Sequence, residues 1–96
     1  MRTVTRSDRA RDDIDAALDY LEQFSPAASQ RLAEAIERVC RVLHNSVIGR
    51  IREEIAPGLR SATVESYQLF FVVTDTPVVV TRLIHGSRDL PTAYAE

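Results

Sequence analysis

The sequence predicts an α+β domain in the order β-α-α-β-β-β, with a helix hairpin packed on one face of a small, mainly antiparallel sheet. Two consecutive amphipathic helical patterns end near Asn45. The hydrophobic period then changes to that of strands, and turn-forming residues separate three strand segments. A chain of 96 residues is expected to form one domain, residues 1–96.

The first half of the chain predicts a short strand and two helices. Residues 2–6, "RTVTR", are rich in β-branched side chains, and Ser7 is a typical helix N-cap. Ser25-Pro26 separates the two helices, because proline favours the first position of a helix. The apolar stripe of the first helix is Ile14, Ala17, Leu18, Leu21 and Phe24, and that of the second is Ala28, Leu32, Ala35, Ile36, Val39, Val42 and Leu43.

The second half predicts a connector, three strands and a short tail. The segment "SVIGRIREEIAPGLR" is interrupted by glycine and proline, which favour turns. Strands are predicted at Arg60–Glu65, Tyr67–Val73 and Val78–Ile84, with Pro77 just before the last. The place of the N-terminal strand in the sheet does not follow from the sequence.

Both faces of the predicted sheet are apolar. Strand Tyr67–Val73 carries apolar side chains on its two sides, and alternation in the last strand places Arg82 on the face of Val80 and Ile84. A sheet with one face in water normally alternates with polar residues. One helix hairpin covers one face, so the tail, a second copy of the chain or a different protein is expected to cover the other.

Composition narrows the functional classes. The net charge is −2, which disfavours nucleic acid as the main partner, although all 12 basic residues are arginine. That arginine bias is either genomic or suited to bidentate binding of carboxylate or phosphate. No apolar run reaches the length of a membrane span, and Cys40 is the only cysteine, which suits a reducing cytoplasm. No metal-ligand spacing occurs, and no metal or cofactor is expected.

Candidate chemical groups cluster at the end of the last strand, in "RLIHGSRDL". His85 is either an acid or base near neutral pH or a structural residue that forms hydrogen bonds. Arg60, Arg82 and Arg88 either converge on an anion or form separate ion pairs. His44, at the end of the second helix, is expected to bind helix carbonyls.

Four segments together resemble the RelE/ParE toxin superfamily, and specifically its ParE branch. They are the helix hairpin, "IGRIREEIAPGLRS" (48–61), "VESYQLFFVV" (64–73) and "VVVTRLIHGSRDL" (78–90). The resemblance covers nearly the whole chain, and the order and spacing of the motifs carry it. The fold predicted from the residues agrees with the fold of that superfamily.

The resemblance implies the toxin of a type II toxin–antitoxin system that inhibits DNA gyrase, without a catalytic set, and is neutralised by a ParD-like antitoxin with an acidic tail. Two alternatives stay open. One is a ribosome-dependent mRNA endonuclease of RelE type that uses Arg60, Arg82 and His85. The other is a non-toxic member that only binds its antitoxin in a hetero-oligomer.

The antitoxin is expected to lie across the helix hairpin and the sheet. Apolar anchors are expected near Leu18, Leu21 and Phe70, and carboxylates are expected to reach Arg60, Arg82 or Arg88. His85 is expected to shape the same surface. The expected partner-binding residues are therefore Leu18, Leu21, Arg60, Phe70, Arg82, His85 and Arg88.

Overall fold

The computed structural model describes all residues, Met1–Glu96, and has the predicted element order with two small additions. A two-residue strand lies in the connector, and a short helix forms the tail. The elements are β1 (Thr3–Arg6), α1 (Asp8–Phe24), α2 (Pro26–Leu43), β2 (Arg50–Ile51), β3 (Leu59–Val64), β4 (Tyr67–Val73), β5 (Pro77–His85) and α3 (Leu90–Ala95). No helix combines the length and the apolar character that a membrane span needs.

The sheet has five strands in the order β1-β5-β4-β3-β2. Strands β2 to β5 pair antiparallel, whereas β1 runs parallel to β5, so the sheet is mainly antiparallel as predicted. The N-terminal strand thus lies at the sheet edge, with Thr3 opposite Pro77 and Arg6 opposite Val80.

Serine side chains begin both long helices. The Ser7 hydroxyl accepts the Ala10 N–H at 3.1 Å, and the Ser25 hydroxyl accepts the Ala28 N–H at 3.2 Å. Each bond satisfies one of the amide groups that a first helical turn leaves without a partner. Pro26 is the first residue of α2, so the predicted break between the helices is confirmed.

The hairpin buries its apolar stripes against one face of the sheet. Two stripe residues at helix ends differ from the prediction: Phe24 is 70% exposed and Val42 is 45% exposed. Phe24 contacts Tyr20 instead, with ring centroids 4.9 Å apart. The buried core on this side consists of Ala10, Ile14, Leu32, Ala35, Ile36, Cys40, Leu43, Val64, Leu69, Phe71, Val78, Val80 and Leu83.

The second face of the sheet is covered by the chain itself. Phe70 and Ile84 are buried there beneath Ala93 of α3, and Ile55 packs against them from the turn before β3. The sequence predicted that the tail, a second copy of the chain or a different protein would cover this face, and the structure shows the tail. The expectation that this apolar patch stays open for a partner is therefore wrong, because α3 already removes it from water.

A β-bulge shifts the side-chain alternation of β5. Phe70 lies opposite Arg82, but the next residue, Phe71, lies opposite Val80, so Thr81 is the extra residue. Residues after Thr81 therefore face the side opposite to the one that simple alternation predicts. Arg82 faces the α3 side together with Ile84, as predicted, but the prediction that it also shares a face with Val80 is wrong.

Gly49 and Gly58 offer a test of the connector. Both have positive φ, at +94° and +74°, but a Cβ at Gly49 meets Phe71 Cζ and the Ser61 carbonyl oxygen at 2.8 Å, whereas Gly58 has open space. We expect Gly58→Ala to lower the free energy of unfolding by about 1–2 kcal/mol through backbone strain. Gly49→Ala is expected to cost about 1–3 kcal/mol more, through overpacking. Urea denaturation measures both, and equal losses contradict this view.

Candidate functional site

Arg82 joins three elements from a buried position. Its Nε donates to Asp13 Oδ2 of α1 at 2.7 Å, and its Nη1 donates to the carbonyl oxygens of Ala93 and Tyr94 at 3.0 and 2.9 Å. Those carbonyls belong to the last turn of α3, where a cation is favoured because helix carbonyls there lack amide partners. The guanidinium thereby links α1, β5 and α3.

Asp13 also closes the edge of the sheet. Its Oδ2 accepts the Leu83 N–H at 3.0 Å, at a point of β5 that β1 does not reach. Arg9 lies one helical turn before Asp13, with Nε at 3.5 Å from Oδ1, and is half exposed. The carboxylate of Asp13 thus replaces a missing strand neighbour and neutralises Arg82.

Two of the expected partner-binding residues lie in the interior. Arg82 is 7% exposed and Phe70 is 0% exposed. Because α3 covers Phe70, that side chain offers a partner no surface in this conformation. Arg82 lines a cavity beside α1, but Asp13 and two carbonyl oxygens already occupy its guanidinium.

Leu18 and Leu21 are half buried against the main core, and Leu21 lines a cavity at the tip of the hairpin. His44 Nδ1 lies 2.8 Å from the Arg2 carbonyl oxygen, so His44 fixes the start of β1 rather than capping α2 through its ring. Burial raises the pKa of the Cys40 thiol, although the nearby Arg6 opposes the shift. No group of three or more histidine, cysteine or acidic side chains is arranged to hold a metal ion.

His85 is exposed at the end of β5, with its ring orientation fixed by Ser87. The Ser87 backbone N–H donates to His85 Nδ1 at 3.1 Å, and the Ser87 hydroxyl lies 2.8 Å from the same atom. Because a backbone N–H only donates, Nδ1 carries the lone pair, and the neutral ring holds its proton on Nε2. Tyr67 packs edge-on against the ring, with centroids 5.0 Å apart.

Arg60 lies far from His85. Arg60 is opposite Phe71 of β4, whereas His85 is opposite Tyr67, four residues along the same strand. At ~3.3 Å per residue, this register separates them by about 13 Å along the sheet. Arg82 lines the same cavity as His85 but is bonded to Asp13, so Arg60 is the member of the hypothetical catalytic set that lies apart.

A groove lies between α1 and the end of β5. Its cavity of about 560 Å³ is lined by residues that include Asp13, Ala16, Tyr20, Tyr67, His85 and Arg88. A second cavity of about 210 Å³ shares Tyr20, Tyr67 and His85 and extends to Leu21, Arg31 and Glu65. We call the two together the end groove.

Sequence reasoning named Leu21, Arg82, His85 and Arg88 of this groove but missed Asp13, Tyr20 and Tyr67. Tyr20 is 57% exposed in the structure. Its position outside the apolar stripe of α1 could have been read from the helical pattern alone. Burial raises the pKa of the Tyr67 hydroxyl above its ordinary value, and the nearby Tyr20 adds to the shift. Tyr67 is therefore neutral at physiological pH.

The family model described as "ParE toxin of type II toxin-antitoxin system, parDE" matches residues 4–90 of the chain. The match includes every element up to the first residue of α3. The chain has no significant sequence match among curated proteins.

Solved structures of toxin–antitoxin proteins share the fold. The chain is similar to a chromosomal ParDE system from P. aeruginosa, with a TM-score of 0.74 and 22% identity over 88% of this chain and 96% of that one. The RelBE2 complex of Mycobacterium tuberculosis gives a TM-score of 0.55 and 25% identity over 88% and 96%. The E. coli DinJ–YafQ complex gives 0.63 and 16% over 88% and 93%.

Removal of Asp13 tests the importance of the buried ion pair. Asp13→Ala leaves Arg82 buried without its anion, so we expect the free energy of unfolding to fall by about 3–5 kcal/mol. Arg9→Ala, which removes only the exposed partner of Asp13, is expected to cost less than about 1 kcal/mol. Chemical denaturation of both variants provides the measurement. Similar losses for the two would show that Arg82 does not depend on Asp13.

Proposed function

Since the chain belongs to the family of ParE toxins of type II toxin–antitoxin systems, we propose that it inhibits DNA gyrase and is neutralised by a ParD-like antitoxin. The observation that carries the proposal is the family match over residues 4–90. In this proposal the toxin acts in the cytoplasm, where it meets that target. The antitoxin and the toxin form a hetero-oligomer in this proposal.

The pairing of Arg82 and the distance of Arg60 from His85 support inhibition by binding over RNA cleavage. Arg82 lines the same groove as His85, but its guanidinium is bonded to Asp13 and to two carbonyl oxygens of α3, so its charge is already compensated. Arg60 lies near the Gly49 carbonyl oxygen, at 3.4 Å from Nη1. Cleavage of RNA needs charged donors aimed at one phosphate, because the charge that develops in the transition state must be stabilised there. The net charge of −2 also disfavours a long contact with RNA.

One observation favours the second candidate, an mRNA endonuclease of RelE type. His85 is exposed, beside Tyr67 and in the same groove as Arg88. An imidazole is able to transfer protons, because one ring nitrogen donates while the other accepts. In this candidate His85 is the acid or base, with Arg88 in the role that the sequence assigned to Arg60 and Arg82. A third candidate is a family member that binds its antitoxin without toxicity.

His85→Asn separates the two active candidates. An asparagine carbonyl oxygen is able to accept the Ser87 N–H as Nδ1 does, but it cannot exchange a proton near neutral pH. We expect wild type and His85→Asn to inhibit supercoiling by purified gyrase equally, within about twofold, because binding needs no proton transfer. The readout is the supercoiling by gyrase of a plasmid that was relaxed before the assay. A cell-free translation reaction with the same proteins is run in parallel.

The proposal would be contradicted if the chain stops translation and cuts transcripts while the activity of gyrase stays unchanged. In that outcome His85→Asn is expected to lose the cleavage. A chain that affects neither reaction and causes no growth defect when induced in cells would instead identify a member that only binds its antitoxin.

A further inference from the structure

Ser87 is held next to His85 by a tight turn at the end of β5. The Arg88 N–H donates to the His85 carbonyl oxygen at 3.1 Å, so Gly86 and Ser87 are the central residues of a β-turn. The Gly86 N–H donates to the Ser66 carbonyl oxygen at 2.8 Å, which joins this turn to the one between β3 and β4. Ser87 therefore has a fixed position, although its side chain is exposed.

The Ser87 hydroxyl is a hydrogen-bond donor to His85. In the neutral ring Nδ1 carries a lone pair, because it accepts the Ser87 backbone N–H at 3.1 Å. Ser87 Oγ lies 2.8 Å from the same nitrogen, so the hydroxyl proton lies between the two atoms. A hydroxyl at this distance from an imidazole nitrogen is arranged so that the ring removes the proton as the oxygen attacks.

Tyr67 keeps the imidazole in place. It lies opposite His85 in the pairing of β4 with β5, and its ring packs edge-on against the imidazole with centroids 5.0 Å apart. An activated nucleophile needs a base within hydrogen-bond distance and a third group that orients the base. Ser87, His85 and Tyr67 meet both conditions.

The end groove gives a reactant access to this pair. His85 and Arg88 line its larger cavity, in which Tyr20 and Tyr67 offer aromatic surface to an apolar group. Arg88 directly follows Ser87, is half exposed, and forms both of its side-chain bonds from Nη2. A guanidinium has five N–H donors, and those left free stabilise the negative charge that develops on a carbonyl oxygen under attack.

We propose that Ser87 and His85 form a nucleophile–base pair that takes an acyl group from an activated carboxylic ester or thioester. Ser87 Oγ attacks the carbonyl carbon and forms a C–O bond, while the bond from that carbon to the leaving alcohol or thiol breaks. The hydroxyl proton passes to His85 Nδ1 and from there to the leaving group. The product is an acyl ester of Ser87 at the rim of the end groove. This inference does not depend on the proposed function, because neither gyrase nor an antitoxin takes part.

The composition of the chain makes acyl transfer to a serine simple to detect. The chain has no lysine, so the side-chain amines that commonly compete for acyl groups are absent. Cys40 is the only thiol and is buried. The α-amino group of Met1 remains, but its product is an amide, which resists the hydroxylamine treatment that removes an ester.

The probe is p-nitrophenyl acetate, whose p-nitrophenolate product gives the rate, and mass spectrometry of peptides locates the acetyl group. Ser87→Ala removes the nucleophile. Ser66→Ala is the matched control, because Ser66 is an exposed serine in the neighbouring turn and its hydroxyl has no histidine partner. His85→Asn keeps an acceptor for the Ser87 N–H but removes the base. Thermal unfolding of each variant is measured alongside.

We expect a hydroxylamine-sensitive acetyl group on Ser87 in wild type and, at a rate within about twofold, in Ser66→Ala. Ser87→Ala is expected to carry none at this position. His85→Asn is expected to react about 10²-fold more slowly, because a positioned general base contributes at least that factor. Wild type unfolded in urea gives a readout that is independent of variant folding: the preference for Ser87 over Ser66 is expected to disappear.

Equal acetylation of Ser87 and Ser66 in the folded wild type overturns the inference, and so does an unchanged rate in His85→Asn. Acetyl groups found only on the Met1 amine or on the His85 ring overturn it as well. The proposed function stays intact in each of these outcomes, since the gyrase assay tests it separately.

Discussion

The ion pair between Arg82 and Asp13 is the interaction on which the arrangement of the layers depends. Arg82 extends from β5 to α1 on one side and to the last carbonyls of α3 on the other. Its burial in isolation would be strongly unfavourable, so Asp13 and the two carbonyls together make its position stable. The tail helix is thus held both by apolar contact and by a charge that the hairpin neutralises. The same pair leaves the rim of the end groove with a fixed shape.

This arrangement changes what the surface offers to a partner. The chain covers both faces of its own sheet, so a partner does not have to cover an open apolar face. The features left accessible are smaller: aromatic side chains on α1, the end of β5 that β1 does not reach, and half-exposed arginines such as Arg88. Recognition by such features relies on directional bonds, which give specificity at modest buried area.

Much of the fold could be predicted from the sequence, because helix stripes and serine caps are local signals. Strand β4 has its predicted bounds, and the hairpin break at Pro26 is also confirmed. The edge position of β1 depends on tertiary packing, which local residue patterns do not encode. The bulge at Thr81 has no signal in an otherwise regular strand, and it reversed the predicted side of Arg82. For the site, strand-end residues such as His85 were accessible to sequence reasoning, whereas Asp13 gains its role only from contact with a distant strand.

Parallel pairing of β1 with β5 has a consequence for the making of the protein. Residues at the start of the chain pair only with a strand that begins at Pro77. Asp13 likewise pairs with a residue 69 positions later in the sequence. Contacts between residues so far apart in sequence form slowly, because the chain between them loses conformational entropy before the contact contributes stability. During synthesis the helix hairpin is complete long before the sheet it packs on. The end of β5 and the groove beside it therefore form among the last features of the nascent chain, which delays any recognition of this surface until nearly the whole protein exists.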